Sequence, residues 1–304
     1  MTEKLSKGIF IDPHISLKDR NVKDNLRYLD GYPMFGLVEF NIWGACNRRC
    51  SFCPVSDPEV YTNKVEGIEL EDYLIVLNDL KRINYSGVIL WSMFSEPTLH
   101  KRVFELATLT KDVLPNSNLQ LTSNGDTIKR LGIRLRNFFD SGVDRINFSL
   151  YDGPEQFDAF TKLRIENGLS QKKMVLRRRY REDGNYGITI SNRAGLIESN
   201  QFRDEKEEAV ESLPLNRTCN YPFYQMGIDY NGDVLLCPHD WSKDFIIGNA
   251  FKEDIWSIWK NKKFEAARKS LAKARRSFNP CKKCDVKGDL IGKKISMHFK
   301  ILNG

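Results

Sequence analysis

Cys46, Cys50 and Cys53 fall within eight residues, in GACNRRCSFCPV, directly after the apolar run GLVEFNIW at 36–43. Three soft ligands at this spacing are a metal-binding signal, and they require a fold that fixes one loop at the end of a buried segment. Zinc normally closes with four Cys or His ligands and favours CxxC pairs. A cubane iron-sulfur cluster accepts thiolates on three of its irons and can leave the fourth open to a small molecule. The remaining cysteines are Cys219, Cys237, Cys281 and Cys284, the last two as CKKC, so the seven divide into three and four. Four Cys can close either a zinc site or an iron-sulfur site.

An odd cysteine count argues against a disulfide framework. The start, MTEKLSKGIFIDPHISLKDR, has neither the apolar core nor the small-residue cleavage site of a secretory signal. A cytoplasmic location, where thiols stay reduced, is the expectation. Runs such as GVILW are far shorter than the roughly 20 apolar residues that cross a bilayer. The net charge of +7 is concentrated at Lys172, Lys173, Arg177, Arg178, Arg179 and Arg181 and again between Lys262 and Arg276. No aromatic stacking pattern accompanies these runs, so solvated faces are expected and nucleic acid is not; an anionic substrate is the milder alternative.

A length of 304 residues suits one large domain with a smaller appendage. After GLVEFNIW, helix-like and strand-like stretches alternate: a helix at about 69–84, the strand GVILW, a helix at about 99–114, the strand NLQLTSNG, a helix at about 127–141 and the strand DRINFSL. KMVLRRRY and YGITISNRAG complete six strands, which implies an α/β fold of parallel βα units with working residues in the loops at the strand C-termini. The triplet, SEP, TSN and SLYDG all fall at that edge. The polar stretch 198–211 reads as a connection to a second module. In that module YPFYQMGIDYNGDVLLC reads as a hairpin turning at NGD. The stretch IGNAFKEDIWSIWKNKKFEAARKSLAKA reads as one helix with Ile255, Trp256, Ile258, Trp259 and Phe264 facing a core.

With Phe52 before its last cysteine, the triplet matches CxxxCxΦC, and the chain resembles the radical S-adenosylmethionine (SAM) superfamily. The resemblance implies a partial (β/α)6 barrel whose cluster carries SAM on its open iron and cleaves it to a 5′-deoxyadenosyl radical. It also implies SAM contacts at Ser95 and Glu96 of MFSEP, where the family has a GGEP-like turn, at Ser123 and Asn124 of LTSNGD, and at Ser149 of FSLYDG. Arg164 is a candidate for the SAM carboxylate. The second cysteine group, with GN, IW and CxxC in order, resembles the SPASM and shorter twitch extensions of the family. Four cysteines match the twitch form, a small α+β domain with one auxiliary 4Fe-4S cluster. The implied organisation is an N-terminal extension at 1–35, a radical SAM core at 36–205 and the auxiliary-cluster domain at 206–304.

A redox enzyme oxidising a C–H site of a sugar, cyclitol or related molecule is the expected activity. A flavodoxin or ferredoxin would supply electrons to it. A radical epimerase and a peptide-modifying enzyme are the alternatives within the family, and a non-enzymatic zinc-binding interaction module is the alternative outside it. Arg193 is a candidate for the substrate pocket, with a structural ion pair as its plain counterpart. His239 and Asp240 follow Cys237 closely enough to act as bases there, or to support the cluster instead.

Overall fold

The computed structural model describes residues 15–24, 26–61, 64–130, 132–180, 190–199 and 212–302. A short antiparallel ribbon, β1 (Tyr28–Leu29) and β2 (Tyr32–Pro33), precedes the main sheet. That sheet contains β3 (Leu37–Phe40), β4 (Val88–Trp91), β5 (Asn118–Ser123), β6 (Arg145–Leu150), β7 (Met174–Arg178), β8 (Gln225–Ile228), β9 (Asp233–Leu235) and β10 (Ile246–Asn249), in the order β10-β9-β8-β3-β4-β5-β6-β7. The run from β8 to β7 is parallel throughout, and the β8-β9 and β9-β10 pairs are antiparallel.

Side chains alternate between the two faces of the sheet. Val38, Phe40, Ile89, Trp91, Leu119, Leu121, Ile146 and Phe148 are all buried. They face the covering helices, as ring contacts of Phe40 with Tyr73 (5.2 Å) and of Phe148 with Phe160 (4.9 Å) show. Tyr73 belongs to the helix Leu70–Arg82 and Phe160 to Pro154–Glu166, with Val103–Val113 between these two in sequence. Residues of the opposite parity, Glu39, Gln120, Asn147 and Ser149, put polar groups on the other face. This is the α/β architecture expected of the partial (β/α)6 barrel.

Three elements differ from the sequence reading. The sixth parallel strand is β8, which pairs with β3 across 188 positions of sequence, Leu37 opposite Gln225. Most of YGITISNRAG lies outside the described residues, and its last part is a 3-10 turn, Arg193–Gly195. The helix expected at 127–141 is two, Asp126–Arg130 and Leu135–Asp140, because Gly132 between them adopts a left-handed φ of +65° that ends a helix. The expected C-terminal helix is also two, Ile255–Trp259 and Lys262–Ala272, after β10. Asp254 and Asn261 each restart the helix by accepting a backbone N–H, from Ser257 (2.7 Å) and Phe264 (2.8 Å). The expected apolar stripe is nevertheless buried, Trp259 and Phe264 fully. The polar connection at 200–211 lies outside the described residues.

Candidate active site

Because β3 to β8 are parallel, the loops that follow them meet at one edge of the sheet. The triplet loop leaves β3 through Gly44, where a Cβ would lie 2.1 Å from the Lys64 carbonyl oxygen, so only glycine fits. The loop closes on itself through Cys53 N donating to the Cys50 carbonyl (2.9 Å). Arg48, inside the triplet, then ties it to two other strand ends. Its guanidinium donates to Asp126 after β5 (2.6 and 2.9 Å) and to Asp152 after β6 (2.7 and 2.8 Å). Asn47 adds a bond to Asp126 (2.8 Å) and accepts one from Asn124 Nδ2 (2.8 Å). Phe52 is buried with its ring 5.5 Å from Tyr151.

Each thiol of the triplet lies within electrostatic range of the other two. Burial pushes the Cys46 thiol up to about 12 and the Cys50 thiol up to about 11. Held as thiols they resist ionisation; binding to a cation supplies the missing compensation.

The cofactor candidates divide. Ser95 Oγ donates to Asn41 Oδ1 (2.7 Å), whose amide continues to the buried Asp229 (2.7 Å) and from there to Lys243. Asn124 stands beside the triplet, and Ser123 Oγ accepts from Gly125 N (2.9 Å). Ser149 is buried near the end of β6. Glu96 is 2% exposed, with one carboxylate oxygen accepting from Asn124 N (2.7 Å) and the other from Thr98 N (3.2 Å) and Thr98 Oγ1. Its carboxylate joins the β4 and β5 loops. Arg164 lies in the last turn of the helix Pro154–Glu166, which starts at the site edge and runs away from it. Ten residues at 1.5 Å each put its backbone about 15 Å along the helix from Pro154.

In the second group all six pairs among Cys219, Cys237, Cys281 and Cys284 are within electrostatic range. Burial raises all four thiols, Cys284 to about 12. The two sets of sulfurs are thus gathered separately, three and four, as two clusters would require. Among the described residues, no three His, Cys, Asp or Glu converge as a single metal ion would need.

Between the two sets lies the turn of Arg193. Asn192 anchors it to the segment after Cys284, its N–H donating to the Asp285 carboxylate (2.9 and 3.0 Å) and its Nδ2 to the Lys283 carbonyl (2.7 Å). The Arg193 guanidinium lies 5.9 Å from the Trp241 ring and within electrostatic range of Cys53 and His239. Trp241 in turn packs on Phe94 of the β4 loop (4.8 Å). Burial, with the Arg193 charge behind it, holds the His239 imidazole down at about 3, so it is neutral. Asp240 is fully buried and caps a turn, accepting from the N–H groups of Asp244 and Phe245 (both 3.0 Å).

The Radical SAM superfamily profile matches residues 40–211, more than half of the chain. The chain belongs to the radical SAM superfamily. A second profile, the iron-sulfur cluster-binding SPASM domain, matches residues 219–285, from the first cysteine of the second group to one residue past the last. Together they imply SAM with a 4Fe-4S cluster in the core and iron-sulfur ligation in the C-terminal part, and they overturn the zinc-module alternative. The chain is 23% identical to the S-adenosyl-L-methionine-dependent 2-deoxy-scyllo-inosamine dehydrogenase of Niallia circulans over 255 residues, 83% of this chain and 93% of the relative. It is 26% identical to the GTP 3',8-cyclase of Chlorobaculum tepidum over 115 residues, only 37% of this chain and 32% of that one. Among solved structures, BtrN in complex with AdoMet and 2-DOIA superposes with a TM-score of 0.66 at 22% identity, covering 84% of this chain and 94% of that one. This radical SAM protein therefore shares its fold with BtrN.

Sequence reasoning missed Arg48, Asp126, Asp152 and Trp241. A usable signal was present for three of them: acidic residues at two successive strand ends, in SNGD and YDG, and an arginine pair inside the triplet.

Proposed function

We propose that this radical SAM enzyme oxidises a C–H site of a small polyhydroxylated substrate, an aminocyclitol or related ring, bound between the two cysteine groups. The observation that carries this reading is that two of the buried polar atoms without a hydrogen-bond partner belong to neighbouring residues near the two cysteine groups. Arg193 Nε and His239 Nδ1 have no hydrogen-bond partner among the described residues. Orphaned buried donors and acceptors are rare in native proteins and call for a ligand or an ordered water. Arg193 lies beside Trp241 and within electrostatic range of Cys53 and of His239, which follows Cys237 by two residues, so a polar ligand bound by both would lie near both sites.

Cys46, Cys50 and Cys53 would hold the SAM-binding cluster, and Cys219, Cys237, Cys281 and Cys284 an auxiliary one. Bound there, SAM with its cluster supplies hydrogen-atom abstraction, and a fully ligated auxiliary cluster supplies a one-electron acceptor. The net loss from the substrate is two hydrogens, one as an atom and the other as a proton whose electron goes to that acceptor. Arg193 would donate to a substrate oxygen and fix its orientation. His239, held through Nε2 to Tyr221 OH (3.3 Å), would offer Nδ1 to a substrate hydroxyl. The indole of Trp241 would exclude water from the space between. Ser123, Asn124, Ser149 and the β4 loop at Ser95 are the chain's candidates for contacting SAM. A flavodoxin- or ferredoxin-type donor in the cytoplasm would provide the initial electron.

The similarity to a 2-deoxy-scyllo-inosamine dehydrogenase supports the choice of probe. Anaerobically reconstituted, reduced protein should convert 2-deoxy-scyllo-inosamine, in deuterated water with SAM, to a product two hydrogens lighter with no deuterium at the reacting carbon. A product of unchanged formula carrying one deuterium there would replace oxidation with epimerisation. No 5′-deoxyadenosine above the substrate-free rate would remove the aminocyclitol from consideration.

A further inference from the structure

Arg276, between the helix Lys262–Ala272 and Cys281, is 3% exposed and lies against the second cysteine group. Its guanidinium donates to four backbone carbonyls: Nε to Arg217 (3.0 Å), Nη1 to Val286 (2.7 Å), and Nη2 to Thr218 (3.1 Å) and Lys287 (2.7 Å). Residues 217–218 lead into Cys219 and residues 286–287 follow Cys284, so one side chain joins both approaches to the site. Gly288 shows how closely the groups stand. A Cβ there would lie 2.5 Å from Cys219 Sγ and 3.3 Å from Arg276 Nη2.

None of the four acceptors carries a charge. The nearby carboxylate Asp289 pairs with Arg217 instead, at 3.2 Å. A buried guanidinium satisfied only by carbonyls keeps its full positive charge in a medium where charges act strongly over several ångströms. That charge reaches Cys219, Cys281 and Cys284. A structural staple alone would not need a cation here, since neutral donors can satisfy carbonyls; a site that takes up an electron, gaining one negative charge, would benefit from one.

We infer that Arg276 poises the four-cysteine site to accept an electron, by placing an uncompensated buried positive charge beside it. The inference rests on the reading of that site as the electron acceptor, and it makes Arg276 a positioning residue rather than a catalytic one. It is tested by spectroelectrochemical titration of full-length protein with Cys46, Cys50 and Cys53 all replaced by Ala, which leaves only the auxiliary iron. Arg276→Gln should lower the midpoint by about 59 mV or more, a tenfold change in a one-electron equilibrium, at unchanged iron content. Arg276→Lys, which keeps the charge, should stay closer to the parent. An unmoved midpoint in an iron-replete Arg276→Gln protein would overturn the inference. Should that variant lose its iron, Asp289→Asn decides, because removing the nearby carboxylate must raise the midpoint, and an unmoved value there overturns the inference equally. The titration needs no substrate, so a shifted midpoint beside absent cyclitol turnover would sink the substrate reading alone.

Discussion

Replacing Arg48 with Ala should destabilise the protein by about 3.5 kcal/mol, almost all of it through one of the two carboxylates that Arg48 grips. The Arg48 and Asp126 side chains are 14% and 5% exposed, whereas Asp152 is 50% exposed. Removing one partner of a buried pair leaves an uncompensated charge, at a cost on the order of 3 kcal/mol. An exposed pair is screened by water and contributes roughly 0.5 kcal/mol. Without Arg48, Asp126 keeps only the Asn47 amide as a side-chain donor. The arms are separated by urea unfolding of iron-free, thiol-reduced protein, with constant slope as the check that only stability has changed. Asp152→Asn should cost less than about 1 kcal/mol. Arg48→Ala should also speed hydrogen exchange at 46–53, since those amides are held to the β5 and β6 ends by this fork. Equal losses for Arg48→Ala and Asp152→Asn would refute the argument, as would a loss below about 1 kcal/mol for Arg48→Ala.

Anaerobically reconstituted protein should hold about eight irons, as two cubanes, and replacing Cys46, Cys50 and Cys53 together should remove half; stoichiometric zinc in place of iron would contradict this. Glu96→Ala should lower the melting temperature by removing the acceptor for three donors, at roughly 1 kcal/mol for each bond, with any weaker SAM binding following from the loosened loop. Unchanged thermal stability with weaker SAM binding would make Glu96 a direct ligand. Gly288→Ala, at φ +74° and against Cys219 Sγ, should lose the auxiliary iron while retaining the triplet's, as read by iron analysis. Arg164→Ala should bind SAM like the parent in equilibrium dialysis, and a clear loss of affinity would make Arg164 a SAM contact.

The strands, the edge at which they end and the two cysteine groups were legible because each is a local pattern: alternation, a short spacing, a turn residue after an apolar run. What was not legible depends on partners far apart in sequence. Arg48 meets Asp126 and Asp152 across 78 and 104 positions, so the triplet could be recognised without its clamp. The strand β8 read correctly as the first arm of a hairpin, yet its other neighbour, β3, could not be read from the hairpin itself. Arg164 and Asp240 were chosen for chemistry and order along the chain. The structure puts the first in the last turn of its helix and the second in a turn where its carboxylate caps backbone N–H groups. The partners of the Glu96 carboxylate, Asn124 and Thr98, were not legible either, since sequence does not say which way a carboxylate turns. Arg193 and His239, chosen on proximity alone, are the candidates whose unsatisfied atoms the structure brings forward.

The pairing of β8 with β3 bears on any attempt to study the amino-terminal part alone. A chain cut in the connection near residue 211 would lose β8, β9 and β10 and leave Leu37–Phe40, buried in the whole protein, as a bare edge. An edge of unpaired amides and carbonyls on an apolar strand is a template for pairing with another chain. The fragment would self-associate through β3, and inactivity in it would report aggregation rather than any need for the second cluster. Single cysteine substitutions in the intact chain leave that ladder in place and so are the sound way to ask what the second cluster does.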